Sequence, residues 1–317
     1  MSKKIILLFT ILIAILAGVV LLKRKKVDSS QISIGILQFA SFPPLDEAKE
    51  GFISELKKEY GDKLVIIEQN AQGSIVQAQA IASSFKANEN IKAFYAIATP
   101  AVQALKAVIK DRPILFAAVT DPDGQHLRFP GSNITGATDM ADVEKQVTII
   151  KQLIPNLRKI SLLYNPGETN SVLLVKKMKE ELTKIGIEFQ ENGVNSQADV
   201  AAATQNAVLN SQAVLVPTDN TIASAFPIVK QIADKAKIPL ITTWTGEKDA
   251  PFMQFGVDYV QSGVQAADLL KSILNKGIPP MELQVISPSS KVFINSYELK
   301  RLNIVLPNSL KNELIVL

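Results

Sequence analysis

The feature that most constrains this 317-residue chain is an internal repeat. The run IGILQF at 34–39 returns as ISLLYN at 160–165, and ISELKKEYGDKLVIIEQNAQGS at 53–74 returns as KKMKEELTKIGIEFQENGVNS at 176–196. AFYAIATPAVQAL at 93–105 then matches AVLVPTDNTIASA at 213–225, each an apolar run that delivers a Thr to a helical pattern. Finally RPILFAAVTD at 112–121 matches IPLITTWTGE at 238–247, with Pro113 and Pro239 opening the two runs. The landmarks keep one order and one offset of roughly 120 residues, which describes two copies of a β-α-β-α-β-α-β unit.

Apolar runs of strand length alternating with helical patterns are the signature of a parallel sheet covered by helices on both faces. The fold class predicted is therefore α/β, with two similar Rossmann-like lobes and a ligand cleft between them, and the length of the chain agrees with two cores rather than one. Residues 31–135 plus about 251–280 are expected to form lobe 1, and 136–250 plus about 281–317 lobe 2. The Gly- and Pro-punctuated stretch FPGSNITGATDM at 129–140 supplies the first crossing between them.

In open parallel sheets ligands bind beyond the carboxyl ends of the strands, where loops lead into helix N-termini. The repeat identifies those loops. The first copy offers Gln38 and Phe39 through Phe42, Gln72 in the NAQG turn, Thr99 before Pro100, and Thr120 with Asp121. The second offers Asn165, Glu168, Asn170 and Ser171, then Thr218, Asp219 and Asn220, then Trp244 between two threonines. Hydroxyls at helix starts suit a carboxylate, the acids Asp121, Glu168 and Asp219 suit an ammonium, and Phe39, Phe42 and Trp244 suit an apolar side chain. Together they fit a zwitterionic amino acid. Each also has a plainer use. Thr99 and the run 218–220 read as helix N-caps, Asp121-Pro122 and Asn165-Pro166 form turns, and the two phenylalanines suit a core. Trp244 replaces a small or polar counterpart in the first copy, which makes core burial less expected for it.

Composition closes other routes. No cysteine means no disulfide framework, thiolate metal site, cysteine nucleophile or lipid-modified N-terminal cysteine. A single histidine, His126, rules out a multi-histidine metal site. No catalytic set, metal site or cofactor is predicted, and an enzyme would need a nucleophile and tuned base that the chain does not offer. The net charge of +4 is a property of one end: six of the 34 Lys and Arg residues lie in 1–26 without an acid, leaving 28 against 30 acids. Nucleic acid is accordingly not an expected partner.

That basic end flanks residues 5–22, eighteen uncharged positions that would span roughly 27 Å as a helix, close to a hydrocarbon core. Residues 1–30 read as an uncleaved membrane anchor in preference to a cleaved signal, because a small-x-small site is missing and KRKK follows at once. The charges on the two sides leave orientation open and, taken literally, slightly favour a cytoplasmic folded part.

The loops also carry a family likeness. NAQG at 70–73, IATPA at 97–101, FAAVTDP at 116–122, NITGATD at 133–139, YNPGETNS at 164–171 and VPTDNTIAS at 216–224, with the opening strand at 34–38, resemble ABC-transporter substrate-binding proteins of the tryptophan/tyrosine type over about residues 32–305. The resemblance implies a type I periplasmic-binding-protein fold, hinge closure on a small solute (an aromatic or large apolar amino acid), a membrane permease as partner, and a monomer outside the cytoplasm. It also implies that the loop residues named above line the ligand site. Members tethered through a cysteine have no parallel here, so the apolar segment would serve as tether, facing outward. The ITTWTGEKDAPFM segment departs from the expected small or acidic loop. A membrane-tethered sensor of the same fold is the alternative, although neither end carries a signalling domain or DNA-reading headpiece.

Overall fold

The computed structural model describes residues 31–247 and 249–317. The anchor predicted for residues 1–30 lies outside them. Among the described residues no helix is long and apolar enough to cross a membrane.

The first copy of the repeat folds as β1 (Ile32–Gln38), α1 (Pro43–Tyr60), β2 (Leu64–Asn70), α2 (Ile75–Ala87), β3 (Ile91–Ile97), α3 (Thr99–Val108), β4 (Ile114–Val119) and β5 (Ile134–Thr138). All five strands are parallel, in the order β2-β1-β3-β4-β5. Nearly every residue of β1, β3, β4 and β5 is buried, as strands covered on both faces require. The edge strand β2 is only partly covered and carries Glu68 and Gln69.

The second copy runs through α4 (Val143–Leu153), β6 (Lys159–Tyr164), α5 (Thr169–Lys184), β7 (Glu188–Gly193), α6 (Val200–Leu209), β8 (Val214–Val216), α7 (Asn220–Ser224), α8 (Phe226–Ala236), β9 (Leu240–Thr242) and β10 (Met253–Gly256). The chain then forms α9 (Tyr259–Lys276), β11 (Lys291–Ile294), α10 (Ser296–Arg301) and β12 (Ile315–Val316). The second sheet is ordered β12-β11-β10-β9-β8-β6-β7, so β7-β6-β8-β9-β10 repeats the first sheet's order. Among the described strands only β10 and β11 pair antiparallel.

Strand β10 falls in the second sheet, not in lobe 1 as its position after residue 251 suggested. All four of its residues are buried, and β9 and β11 supply the two ladders that its backbone needs. Helix α9 does return to lobe 1, against α1, β4 and β5. The chain stays there as far as Ile286, whose N–H donates to Gly136 O and whose carbonyl accepts from Thr138 N, both at 2.9 Å.

The α1–α9 crossing sets the floor of the cleft. A Cβ added to Gly263 would stand 2.0 Å from Ala48 O, and one added to Gly51 would stand 2.1 Å from Val260 O. Only glycine allows backbones that close, and the approach brings the first residues of both helices together: Pro44 and Leu45 in α1, and Tyr259 in α9. Prolines at 43 and 44 fit the first turn of α1, and Asp258 caps α9 by accepting from Gln261 N at 3.0 Å. One apolar cluster runs from lobe 1 through Tyr259, Trp244, Ile222 and Phe226 to one face of the second sheet; the other face has a core of its own.

Candidate functional site

Strand order reverses at β1/β3 in the first sheet and at β6/β8 in the second, and the loops leaving these strands face each other across the cleft. Between them lies a narrow, nearly filled cavity with only about 10 Å³ of free volume, so a solute larger than water needs the facing loops to move apart. Its apolar wall is made by Phe42, Leu45 and Tyr259 of lobe 1 with Ala223 and Trp244 of lobe 2, and Asp139, Asn170 and Thr218 are among its polar residues. Among the described residues no Lys, Arg or His lines it.

Asp139 is the acid that sequence reasoning missed. It follows β5 and is almost wholly buried. Its Oδ1 accepts from the Thr120 hydroxyl at 2.8 Å, the Tyr259 hydroxyl interacts with the same carboxyl, and its Oδ2 has no donor within 3.5 Å. Burial pushes its carboxyl up to about 6, against the opposing pull of the Thr120 bond. The neighbouring Tyr259 hydroxyl is held well above its ordinary value, chiefly by burial and then by the charge of Asp139, so it remains a proton donor. The signal was present in the NITGATD run, which the sequence reading used as a crossing rather than as a pocket loop.

Three further buried atoms without protein partners stand at strand ends or helix starts: Gln38 Oε1, Thr99 Oγ1 and Asn170 Oδ1. The amide orientations follow from their other bonds. Gln38 Nε2 donates to Ala40 O and Asp46 Oδ1, both at 2.7 Å, and Asn170 Nδ2 donates to Thr218 O at 2.8 Å. Each leaves its oxygen over. Thr99 was read as an N-cap, but it occupies the first helical position. The cap is Ala98, at φ 80, and no side chain caps this helix. Of these, Asn170 Oδ1 joins Asp139 Oδ2 at the cavity as an acceptor that suits an ammonium, whereas Gln38 and Thr99 are not among the lining residues.

The acids of the second lobe are engaged by their own loops. Asp219 caps α7 by accepting from Ile222 N at 2.9 Å through Oδ1, and its Oδ2 accepts from Asn165 N at 2.6 Å and Ser171 Oγ at 2.7 Å. Glu168 accepts from Asn220 N and Nδ2 at 3.0 and 2.6 Å, and from Thr221 N and Oγ1 at 2.9 and 2.8 Å. Burial and the nearby Glu168 charge raise the Asp219 carboxyl. Asn165 also reaches Thr221 Oγ1, and the Thr218 hydroxyl bonds to Thr243. This network fixes the second lobe's half of the cleft.

The remaining expected residues divide. Trp244 is 1 % exposed and lines the cavity, edge-on to Phe226 with centroids 5.9 Å apart, while its indole N–H donates to Glu247 Oε1 at 2.7 Å. The structure brings Asn170, Thr218, Asp219 and Asn220 to the same cavity. Phe39 is buried in the core, beside the cleft loops. Gln72 is exposed, and Asp121 lies outside the cavity, 4.0 Å from Lys177 Nζ.

Two parallel-sheet lobes with opposed switch points around a closed, apolar and acceptor-lined cavity define a solute-capturing protein. Residues 33–314 match the family model for ABC transporter substrate-binding proteins, and the chain belongs to that family. A protein named tyrosine-binding protein from Clostridioides difficile (strain R20291) is 35% identical over 291 residues, 89% of this chain and 84% of that one. The crystal structure of an ABC domain in complex with L-Trp from Streptococcus pneumonia matches with a TM-score of 0.84 at 31% identity, over 90% of this chain and 100% of that one. The ligand-free, open structure of a substrate-binding protein with adhesive properties from Clostridium difficile covers 90% of this chain and 99% of that one at 32% identity, but its TM-score is 0.66. At nearly equal identity and coverage, the likeness to the L-Trp complex is thus higher than that to the open structure.

Proposed function

We propose that this protein captures an aromatic L-amino acid by closing its lobes and presents it to an ABC permease. The observation that carries the reading is Asp139: a buried carboxylate with no cation among the described residues lining its cavity, which is walled by Phe42, Trp244 and Tyr259. Burying a carboxylate on neutral hydroxyls alone is costly, and a ligand ammonium supplies the missing counter-charge. The hydroxyls of Tyr259 and Thr120 hold the Asp139 carboxyl in place. The aromatic side chain packs between Phe42 and Trp244, and backbone N–H groups at helix starts meet the carboxylate, since no basic side chain is among the described lining residues. The ligands named for the relatives, tyrosine and L-Trp, agree with this chemistry.

Family members of this kind work outside the cytoplasm. For this chain the account adds a monomer tethered by residues 5–22, with the folded part facing outward. The ligand docks on one lobe and makes its contacts with the other only as the crossings bend, which is what shifts the equilibrium toward closure. Titration calorimetry with L-tyrosine, L-tryptophan and the deaminated analogue 3-(4-hydroxyphenyl)propionate tests the reading. Binding of an amino acid without binding of the analogue is expected. Equal affinity for the analogue would remove the ammonium from the account.

A further inference from the structure

Thr169 sits at the first position of α5, between Glu168 and Asn170, yet its hydroxyl takes no part in the network those residues build. It reaches the other lobe instead. Its oxygen accepts from Gln103 Nε2 of α3 at 2.9 Å, and its proton goes to Gln125 Oε1, at 2.5 Å, in the loop after β4. Gln125 Nε2 in turn donates to the carbonyl of Thr120, whose hydroxyl donates to Asp139 Oδ1. The loop that presents Gln125 is preset. Asp121 takes a left-handed φ of 44°, its Oδ1 accepts from Gly124 N at 3.0 Å, and its carbonyl accepts from Gln125 N at 3.0 Å.

We infer that Thr169, Gln103 and Gln125 form a closure latch that sets how long the captured solute is held. The inference rests on the solute-capture reading above. Thr169 belongs to the second lobe and its two partners to the first, so any opening of the cleft breaks both bonds. Their free energy therefore falls on the closed side of the equilibrium alone, which is the condition for a contact to shift that equilibrium. None of the three lines the cavity. They act as positioning residues, on dwell time rather than on recognition, and the bond through Thr120 ties the latch to the carboxylate that receives the ligand. The Lys177–Asp121 pair spans the same seam, but both side chains are substantially exposed and the separation is 4.0 Å, so it adds little.

The test uses the full chain. With no native cysteine, Val76→Cys and Lys176→Cys place one spin label on an exposed position of each lobe. Inter-label distances are measured with and without L-tyrosine or L-tryptophan, alongside association and dissociation rates in the unlabelled protein. Thr169→Val, which keeps the shape and loses both bonds, should raise the dissociation rate about tenfold and change the association rate less than twofold. Its closed-distance fraction should fall, with the melting temperature of the ligand-free protein unchanged, and Thr169→Ser should restore the parent's values. Gln103→Ala combined with Gln125→Ala should reproduce the faster release. Parent-like dissociation rates and closed fractions in both variants would overturn the latch. If the parent binds no aromatic amino acid, the solute reading fails by itself, and the closed fractions of parent and Thr169→Val without solute still decide the latch: a fall supports it and equality refutes it.

Discussion

Asp139→Asn separates the cost of burying a charge from its use. The carboxyl is raised from 3.8 to about 6 by burial, so at pH 7 the closed, ligand-free protein carries a charge burial of about 3 kcal/mol. Asparagine removes that term and can still accept the Thr120 hydroxyl, so the variant should melt at or above the parent's temperature. Binding should move the other way. The amide is neutral, and if its oxygen stays on Thr120 its NH2 points at the ligand's own donors. Losing one partner of a buried, hydrogen-bonded charge pair costs about 2–4 kcal/mol, or roughly thirty- to thousandfold in Kd. Calorimetric titration with L-tyrosine and a thermal melt of each protein give the two quantities. A Kd within threefold of the parent's would refute the role of Asp139, and a large fall in melting temperature would refute the argument that its charge is held at a cost.

Asp219→Ala should behave in the opposite sense: three hydrogen bonds and the α7 cap are lost, so melting should fall by an amount equivalent to about 2 kcal/mol or more, and any loss of affinity measured well below the melting temperature should be smaller than for Asp139→Asn. On acidification, affinity for an aromatic amino acid should fall by up to about tenfold between pH 7 and pH 5, because protonated Asp139 cannot pair with an ammonium; titrations across that range in Asp139→Asn should be flat. The sign for stability is reversed. A carboxyl raised in the fold favours the folded state fully below about pH 4 and loses that contribution as pH rises through about 6, so ligand-free Asp139→Asn should gain most over the parent at neutral pH. Trp244, the single tryptophan, should change its emission when L-tyrosine binds, and Trp244→Leu should weaken binding about three- to tenfold through lost stacking; emission fixed through saturation would make it packing alone.

Most of the architecture was legible because it is written twice. The repeat gave both sheets and the loops at their carboxyl ends, and the run 218–220 marked the start of α7, where Asp219 is the cap. What stayed hidden depends on contacts between segments distant in sequence. Strand β10 is short and apolar throughout, and nothing local says which sheet will pair it. Asp139 looks like one more turn residue until α9, 120 positions later, lays Tyr259 beside it. Asp219 and Glu168 look like free acids until the loops fold and supply Asn165, Ser171, Asn220 and Thr221 as donors. Thr99 shows the reverse: its place before Pro100 reads as a cap, and only the backbone at Ala98 shows that its hydroxyl is left over.

The most direct test of solute capture is a thermal-shift screen of the purified protein against the twenty L-amino acids, with sugars and nucleosides beside them. A solute at 100 times its Kd stabilises the folded state by about 2.7 kcal/mol, enough to move a melting midpoint by several degrees. The account predicts the largest shifts for L-tyrosine and L-tryptophan, and none for sugars or nucleosides. A shift with a sugar or nucleoside and none with any amino acid would contradict it.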